Sequence, residues 1–364
     1  MNKSNLKVTA ILITIFTITS LQLAIAQKTI YRDAGSFYLY GKAFQTSTVY
    51  HRVDTGKYND LPAAVKRLLT HSAGLAIAFK TNSKSISAKW CVTTSKALNN
   101  LTPIAQKGLD LYIKKDGKWQ FAGVGRPNDV CSEYNLVKNM DGTEKECMLF
   151  LPLYDELKSL EIGTDEGSTI NSLDNPFRHK IAIYGSSIVH GASAGRPGMA
   201  YPAILSRKTG LYFVNLGISG NAKMEKSAAK MVSDIQADAF ILDCVPNPSP
   251  EQIKERAESF VKTVREKHPK APIILMQSII REQGNFDLVV KERVRKQNEE
   301  ITAAFNRLRN AGMKDIFLIT AEKLLGNDHD ATTDGVHPND LGFYRMAEQL
   351  APQITKILTT YRIK

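Results

Sequence analysis

Short apolar runs alternate with helical patterns throughout the second half of the sequence, and this alternation limits the fold more than any other feature. Strands that are separated by helices cross over, so they lie parallel in one sheet with helices on both faces. The sequence therefore predicts an α/β fold with a doubly wound parallel sheet over residues 178–364. The predicted strands are 180–184, 212–216, 239–245, 273–277 and 316–319, and the predicted helices are 201–209, 226–235, 250–266, 290–310 and 339–358.

Residues 28–175 show few long helical patterns and many short β-prone runs. Turn sequences such as Asp116-Gly117 separate these runs, and residues 85–92 alternate as a half-buried strand does. Many short strands joined by turns are typical of a β-sandwich, so we predict a separate N-terminal β-sandwich domain over 28–175. The predicted strands are 37–40, 74–79, 85–94, 109–113 and 118–122.

Residues 1–26 have the pattern of a signal peptide. Lys3 and Lys7 precede an apolar run over 8–18, and the segment ends in Ala24-Ile25-Ala26. A retained membrane anchor is the alternative, but this run is short, whereas a spanning helix needs about 20 mostly apolar residues. We expect cleavage near Ala26, no stable membrane anchor, and export to the periplasm or the medium.

The formal net charge of the chain is +12. A basic balance is typical of proteins that bind anionic partners, but here the Lys and Arg residues are spread along the chain without a long basic block. We therefore interpret the charge as favouring solubility, and we expect no binding of nucleic acid.

The four cysteines are Cys91, Cys131, Cys147 and Cys244. An exported protein can form disulfides, and four cysteines allow three complete pairings, among which the sequence does not choose. Cys244 lies in an apolar run, which favours a buried free thiol. Because none of the four has CxxC spacing, we expect no zinc site.

Ser187 follows the first strand of the second half, in the segment Gly185-Ser186-Ser187. Parallel α/β sheets bind ligands at the carboxyl ends of their strands, and a backbone N–H at a helix start can stabilise an oxyanion. This position suits a nucleophile, although a Gly/Ser turn after a strand is usually only a turn. His190 lies close in sequence and is predicted to be a surface or packing histidine.

Asp334 and His337 stand three residues apart, just before the last predicted helix. A carboxylate can fix the tautomer of an imidazole, which then accepts a proton from a serine hydroxyl. The alternative for this segment is an Asx-type turn with a helix cap.

Gly220 and Asn247 follow the next two strands, so we expect both at the same edge of the sheet as Ser187. The N–H groups of Ser187 and Gly220 and the side-chain amide of Asn247 would together form an oxyanion hole with three donors. Taken singly, Gly220 and Asn247 are also typical of ordinary loops.

The order of these segments resembles the sequence blocks of the SGNH (GDSL-like) hydrolase family, over about residues 181–358. Ser186 stands where the family has an aspartate, which lies outside the triad. Val245 and Pro248 flank Asn247, where the family has the form G-x-N-D. The matching positions are Gly185 and Ser187 in the first block, Gly220 in the second, Asn247 in the third, and Asp334 and His337 in the last.

Three further segments resemble an acetylhydrolase-like subgroup of this family, which carries an N-terminal β domain with a G-x-D-L-Y motif. Residues 108–112 read Gly-Leu-Asp-Leu-Tyr, and they lie in the half that we predict to be β. Residues 196–201 and 221–225 also resemble the subgroup. The resemblance implies a jelly-roll-like N-terminal domain followed by a flavodoxin-like catalytic domain.

The resemblance also implies ester hydrolysis through an acyl-enzyme, without a metal ion or an organic cofactor. It assigns Ser187 as the nucleophile, His337 as general base and then general acid, and Asp334 as the residue that orients His337. The oxyanion donors would be the N–H groups of Ser187 and Gly220 and the amide of Asn247.

The substrate that the resemblance implies is a small ester or an acetylated glycan, with a short acyl group, chiefly acetyl. Two alternatives remain: a lysophospholipase-like esterase with a long apolar groove, and a carbohydrate-binding protein whose hydrolase half is inactive. Trp90, Trp119 and Tyr112 could stack on sugar rings, although such aromatic residues more often belong to a core. The N-terminal domain either binds carbohydrate or braces the catalytic domain.

Overall fold

The computed structural model describes residues 28–94 and 96–364. The predicted signal peptide, residues 1–26, lies outside the described residues. Within the two described stretches, no helix combines the length and the apolar character that crossing a bilayer requires.

Two antiparallel sheets share one apolar core in the N-terminal half, as the predicted β-sandwich requires. One sheet has the strand order β1-β9-β4-β7, and the other has the order β10-β3-β8-β5-β6, with β2 also paired to β3. The strands are β1 (Thr29–Asp33), β2 (Tyr38–Tyr40), β3 (Ala76–Thr81), β4 (Ile86–Val92), β5 (Leu109–Lys115), β6 (Lys118–Gly125), β7 (Cys131–Val137), β8 (Lys145–Phe150), β9 (Leu157–Asp165) and β10 (Ile170–Ser172).

The side chains of β4 show how the sequence pattern builds this core. Ile86, Ala88 and Trp90 alternate along the strand and are buried together, because successive residues of a strand point to opposite faces. Trp90 is 1% exposed and Tyr112 is 4% exposed, so neither ring offers a free surface for a sugar. Both are core residues, which is the alternative to sugar stacking that the sequence offered for them.

Two short helices interrupt the strands of this half, and the sequence pattern did not reveal them. They are α1 (Ala63–Leu69) and α2 (Pro103–Lys107). Thr102 caps α2 by accepting a 3.0 Å hydrogen bond from the N–H of Ala105, and Pro103 stands at the first helical position, where a missing N–H costs nothing.

One disulfide joins two neighbouring strands of the sandwich. Cys91 in β4 faces Cys131 in β7, and the two form the bond. Cys147 and Cys244 are buried free thiols. The pairing that the sequence left open is therefore Cys91–Cys131, and the prediction of a buried free thiol at Cys244 is confirmed.

A five-stranded parallel sheet forms the centre of residues 178–364 and confirms the predicted doubly wound fold. Its strand order is β12-β11-β13-β14-β15, which is the flavodoxin-like order 2-1-3-4-5. The strands are β11 (Arg178–Gly185), β12 (Leu211–Gly217), β13 (Ala239–Asp243), β14 (Ile273–Met276) and β15 (Ile316–Ile319). The helices are α3 (Ser187–His190), α4 (Tyr201–Thr209), α5 (Lys226–Ser233), α6 (Pro250–Lys267), α7 (Leu288–Asn310) and α8 (Asp340–Thr359).

Both faces of this sheet are covered by helices. In β11, Ala182 and Tyr184 pack into the core that α5, α6 and α7 cover, whereas Ile181 and Ile183 pack into the core that α8 covers. Every residue of β12, β13 and β14 is buried, which explains why these strands read as continuous apolar runs rather than alternating ones.

The Gly-Leu-Asp-Leu-Tyr segment joins the two halves. Asp110 of this segment is fully buried and accepts hydrogen bonds of 2.8 Å from Arg196 Nη1 and from the N–H of Gly198. The guanidinium of Arg207 in α4 lies 4.0 Å from the centroid of the Tyr112 ring. The motif therefore fastens the sandwich to the segment that leads into α4.

Candidate active site

Ser187 stands at the end of β11, where the strand turns directly into the short helix α3. The Oγ of Ser186 caps this helix by accepting a 3.2 Å hydrogen bond from the N–H of Ile188. A side chain at Gly185 would clash, since its Cβ would lie 2.1 Å from Val189 and 2.5 Å from the carbonyl oxygen of Asp243. Glycine at this position is therefore needed for the tight turn that presents Ser187.

The structure brings together the three residues of the predicted triad. Ser187 Oγ lies 2.9 Å from His337 Nε2, and His337 Nδ1 lies 2.8 Å from Asp334 Oδ2. Asp334 Oδ1 also accepts a 2.8 Å hydrogen bond from the backbone N–H of His337. A proton on Nδ1 is thus held by the carboxylate, which leaves Nε2 free to accept the serine proton.

Asp334 is held in its charged form by these contacts. Partial burial raises the pKa of Asp334, but hydrogen bonds from the backbone and the ring of His337 outweigh it, so the pKa lies below its usual value. A 3.1 Å hydrogen bond from the N–H of Val336 adds to this effect. The carboxylate beside His337 is therefore ionised at neutral pH.

The three predicted oxyanion donors stand after three adjacent strands. Gly220 follows β12 and Asn247 follows β13, the two strands that pair with β11. The N–H of Ser187 belongs to the first residue of α3, where no intrahelical acceptor exists. Asn247 Oδ1 accepts a 3.1 Å hydrogen bond from the N–H of Ala222, so the amide Nδ2 of Asn247 remains available as a donor.

Gln297 of α7 holds the loop that carries Asn247. Its side chain is fully buried, and Nε2 donates hydrogen bonds of 3.0 Å to the carbonyl oxygen of Val245 and 2.6 Å to that of Pro248. Arg281 donates a 2.8 Å hydrogen bond to the carbonyl oxygen of Pro246. The departure from the family pattern at Val245 and Pro248 is thus accompanied by side chains that fix the loop backbone.

His190 is a packing residue, in line with the sequence-based expectation. Its Nε2 lies 2.7 Å from the carbonyl oxygen of Leu153, and its ring stacks on that of Tyr154 with centroids 4.0 Å apart. Complete burial, together with the nearby charge of Arg52, lowers the pKa of His190 well below its usual value. It therefore stays neutral and buried, with no hydrogen bond to Ser187 Oγ.

A cleft of about 620 Å³ opens beside His337. Most of the residues that line it carry polar side chains, although slightly more than half of the exposed lining surface is apolar, and the N-terminal half supplies most of these residues. The polar lining residues are Arg67, Thr70, His71, Thr93, Thr94, Lys96, Asn100, Gln106, Asp155, Glu156 and Ser219. Within residues 28–94 and 96–364, no cluster of three His, Cys, Asp or Glu side chains is arranged to hold a metal ion.

Two residues of the N-terminal half touch the predicted site and were missed in the sequence. Asn100 contacts Asp334, and Arg52 donates hydrogen bonds to the carbonyl oxygens of Asn215 and Gly217 at the end of β12. Neither residue stands in a recognisable motif. No local pattern could have revealed contacts that span 163 to 234 positions along the chain.

Both halves of the chain match known families. Residues 178–355 match the GDSL-like lipase/acylhydrolase family, and residues 29–170 match the N-terminus of SGNH hydrolase-type esterases. No curated protein matches this sequence.

Solved structures agree with these matches. A protein described as a GDSL-like lipase from Bacteroides ovatus is 56% identical, over 91% of this chain and 98% of that chain, with a TM-score of 0.90. A salicylyl-acyltransferase from a tetracycline biosynthetic pathway is 20% identical over 94% of this chain and 100% of that chain, with a TM-score of 0.73. A family two carbohydrate esterase from Clostridium thermocellum, in complex with cellohexaose, is 14% identical over 79% and 93%, with a TM-score of 0.58. The last two share the fold, while the identity to the first shows that this chain belongs to the GDSL-like lipase/acylhydrolase family of SGNH type and is an ester hydrolase.

Proposed function

We propose that this ester hydrolase is a serine esterase with Ser187 as nucleophile, His337 as general base and Asp334 as the residue that orients His337. The observation that carries the proposal is the unbroken chain of contacts from Ser187 Oγ to His337 Nε2 at 2.9 Å and from His337 Nδ1 to Asp334 Oδ2 at 2.8 Å. A nucleophile, a base and an orienting carboxylate in hydrogen-bonding sequence are what acyl transfer through a serine needs.

In the first half of the reaction, Ser187 Oγ attacks the ester carbonyl while His337 Nε2 takes the hydroxyl proton. The tetrahedral intermediate collapses when His337 returns that proton to the leaving alcohol, and the acyl group stays on Ser187. Water then attacks the acyl-enzyme by the same route, with His337 again taking and returning one proton, and the acid is released.

We further propose that the N–H groups of Ser187 and Gly220 and the Nδ2 of Asn247 stabilise the oxyanion. Their position after three adjacent strands supports this role, because backbone and amide donors fixed before the reaction need no rearrangement when charge develops. The positive φ of Gly220, +70°, suits a glycine and turns the backbone where the donor is needed.

The proposed substrate is a short-chain acyl ester, chiefly an acetyl ester, on a carbohydrate. The polar side chains along the cleft support a leaving alcohol with several hydroxyl groups, because they can exchange hydrogen bonds with water for hydrogen bonds with a sugar. The fold shared with a carbohydrate esterase makes acetylated glycans the first polymers to test. A lysophospholipase-like enzyme would instead need a long apolar groove.

We also propose that the protein is exported, with residues 1–26 as the signal peptide and two mature domains over 28–175 and 178–364. The charged and apolar pattern at the N-terminus supports export. The Cys91–Cys131 disulfide supports it independently, because such bonds persist in oxidising compartments.

The first experiment measures hydrolysis of p-nitrophenyl esters from C2 to C12 by the wild type and by Ser187→Ala. We expect the fastest turnover with acetate and loss of at least about a thousandfold in kcat for the variant. Ser259→Ala, at an exposed position of α6, is the matched control and should equal the wild type.

The natural ester is then tested with acetylated xylan and acetylated cello-oligosaccharides beside lysophosphatidylcholine. Release of acetate from the glycans, but not of fatty acid from the lipid, is the expected result. A preference for C8 or longer esters would contradict the short-chain proposal. Full activity of Ser187→Ala would contradict the proposed nucleophile.

A further inference from the structure

Asn100 brings the N-terminal half into direct contact with the predicted catalytic pair. Its Nδ2 lies 3.2 Å from Asp334 Oδ2, the oxygen that also accepts the hydrogen bond from the His337 ring. The same nitrogen lies 3.5 Å from His337 Nδ1. An ionised carboxylate only accepts hydrogen bonds, so the group that faces it is the NH2 of the amide.

The two oxygens of Asp334 are held in different ways. Oδ1 accepts from the backbone N–H groups of Val336 and His337, which belong to the same loop. Oδ2 accepts from the His337 ring, and the further donor that it meets is Asn100, which lies 234 positions away in the chain. The side-chain contact made by Asn100 therefore falls on the oxygen that orients the imidazole.

Two hydrogen bonds fix the backbone of Asn100 and the residues just after it to the catalytic half. Ser193 Oγ donates a 2.9 Å hydrogen bond to the carbonyl oxygen of Asn100, and Thr102 Oγ1 donates a 2.6 Å hydrogen bond to the carbonyl oxygen of Gly195. Ser193 has a positive φ of +71°, a conformation that costs energy for a residue with a side chain. A strained residue thus supports the segment that presents Asn100.

A fixed donor matters here because the carboxylate is not deeply buried. The side chain of Asp334 is 34% exposed, so water would otherwise compete for Oδ2 and loosen the orientation of His337. We propose that Asn100 is a positioning residue of the catalytic centre, which acts through Asp334 on His337. This inference rests on the proposed roles of Ser187, His337 and Asp334.

The two halves then depend on each other for catalysis. The sandwich half does not only brace the catalytic half, because it completes the hydrogen bonding of the orienting carboxylate. Activity then depends on a contact that the catalytic half cannot make by itself.

The test compares Asn100→Ala and Asn100→Asp in the full chain, with p-nitrophenyl acetate as the substrate. Loss of one hydrogen bond to a charged group should lower kcat of Asn100→Ala about tenfold and leave KM within about twofold. Asn100→Asp keeps the shape but replaces the donor by a second carboxylate, so its kcat should fall about a hundredfold. Asn99→Asp adds the same charge at the adjacent exposed position and should match the wild type.

A second readout is the rate at which a fluorophosphonate labels Ser187, which requires no knowledge of the natural ester. The labelling rate should fall in the same order as kcat, while urea midpoints stay close to that of the wild type. If Asn100 served only packing, Asn100→Asp would be milder than Asn100→Ala, and that order would overturn the proposal.

Two further outcomes would also overturn it. Wild-type kcat in both Asn100 variants would remove the positioning role, and a raised KM with unchanged kcat would make Asn100 a substrate contact instead. Ser187→Ala distinguishes a failure of this inference from a failure of the proposed triad. If it is inactive while the Asn100 variants match the wild type, only this inference fails, whereas if it is fully active, the proposed triad itself fails.

Discussion

The guanidinium of Arg52 donates a 2.9 Å hydrogen bond to the carbonyl oxygen of Gly217, the last residue of β12. Arg52 is completely buried, and its other bonds go to the carbonyl oxygens of Leu68, His71 and Asn215. Burial lowers the pKa of Arg52 to about 9, which still leaves it protonated at neutral pH. One cation of the N-terminal half therefore holds the backbone from which the loop to Gly220 departs.

Replacing Arg52 by Met should destabilise the protein. The carbonyl groups that Arg52 serves would lose a charged donor while they remain buried, so we expect the free energy of unfolding to fall by about 3 kcal/mol or more. Urea unfolding measures the change. Arg67→Met, at an exposed position of α1, is the control, and equal urea midpoints for the two variants would contradict the structural role of Arg52.

The contact between Asp110 and Arg196 should be worth far more than a surface ion pair. Asp110 is fully buried, so removing Arg196 leaves a buried carboxylate without the cation that is hydrogen-bonded to it, and we expect Arg196→Ala to cost about 3 kcal/mol of stability. A double-mutant cycle with Asp110→Ala measures the coupling. The exposed pair of Glu292 and Arg295 is the reference, where we expect no measurable coupling.

Asn247 offers a test of the proposed oxyanion hole. Asn247→Ala removes a donor that would act on the developing charge, so kcat should fall by about a hundredfold or more with little change in KM. Asn247→Asp keeps the acceptor for the N–H of Ala222 but replaces the donor by a carboxylate whose charge repels the oxyanion, so it should lose at least as much activity. Activity retained in Asn247→Asp would mean that the amide does not serve the oxyanion.

Asp243 should make the stability depend on pH. It ends β13 in complete burial, which raises its pKa to about 7 although the hydroxyl of Tyr201 donates a 2.7 Å hydrogen bond to it. An unfolded aspartate titrates near about 3.9, so the folded state holds the proton more tightly. This contribution to stability is complete below the unfolded pKa and is lost as the pH rises through about 7.

The variant Asp243→Asn imitates the protonated form and keeps an acceptor for Tyr201. We therefore expect it to be more stable than the wild type at pH 8, by up to about 4 kcal/mol, and nearly equal at pH 4. Urea unfolding at both pH values measures the difference. A difference of the same size at pH 4 and pH 8 would show that Asp243 is not the titrating group.

The parallel sheet could be predicted from the sequence because its strands are buried on both faces. Residues such as those of β13 form a continuous apolar run, and such a run identifies a strand without knowledge of its neighbours. In the sandwich, β7 and β9 carry polar side chains on their outer faces and were missed. Their assignment depends on which strands lie beside them, which a local pattern does not contain.

In the predicted site, too, some residues can be identified from the local sequence and others only from the packing. Ser187, Asp334 and His337 could be selected because each lies in a short segment with its own turn or helix-start pattern. Asn100 and Arg52 could not, because their significance depends on the packing of one half against the other. A sequence therefore reveals the residues of a site more readily than the residues that hold them.

The disulfide predicts a specific pattern of thiol reactivity. The chain has four cysteines, of which Cys91 and Cys131 are bonded and Cys147 and Cys244 are buried. Burial also raises the pKa of the Cys147 thiol to about 12, which suppresses its reactive thiolate. The native protein should therefore react with Ellman's reagent at no site, the urea-unfolded protein at two, and the unfolded and reduced protein at four.

The same bond should contribute to stability. By the chain-entropy estimate, a bond that closes a loop of 40 residues contributes about 3 to 4 kcal/mol, so Cys91→Ser with Cys131→Ser should unfold at a clearly lower urea concentration. Cys147→Ser is the control for introducing a hydroxyl at a buried cysteine, and only the double variant should lose the sensitivity of the urea midpoint to dithiothreitol. If four thiols reacted in the unfolded, unreduced protein, the bond would not form in solution, and the support that it lends to export would be withdrawn.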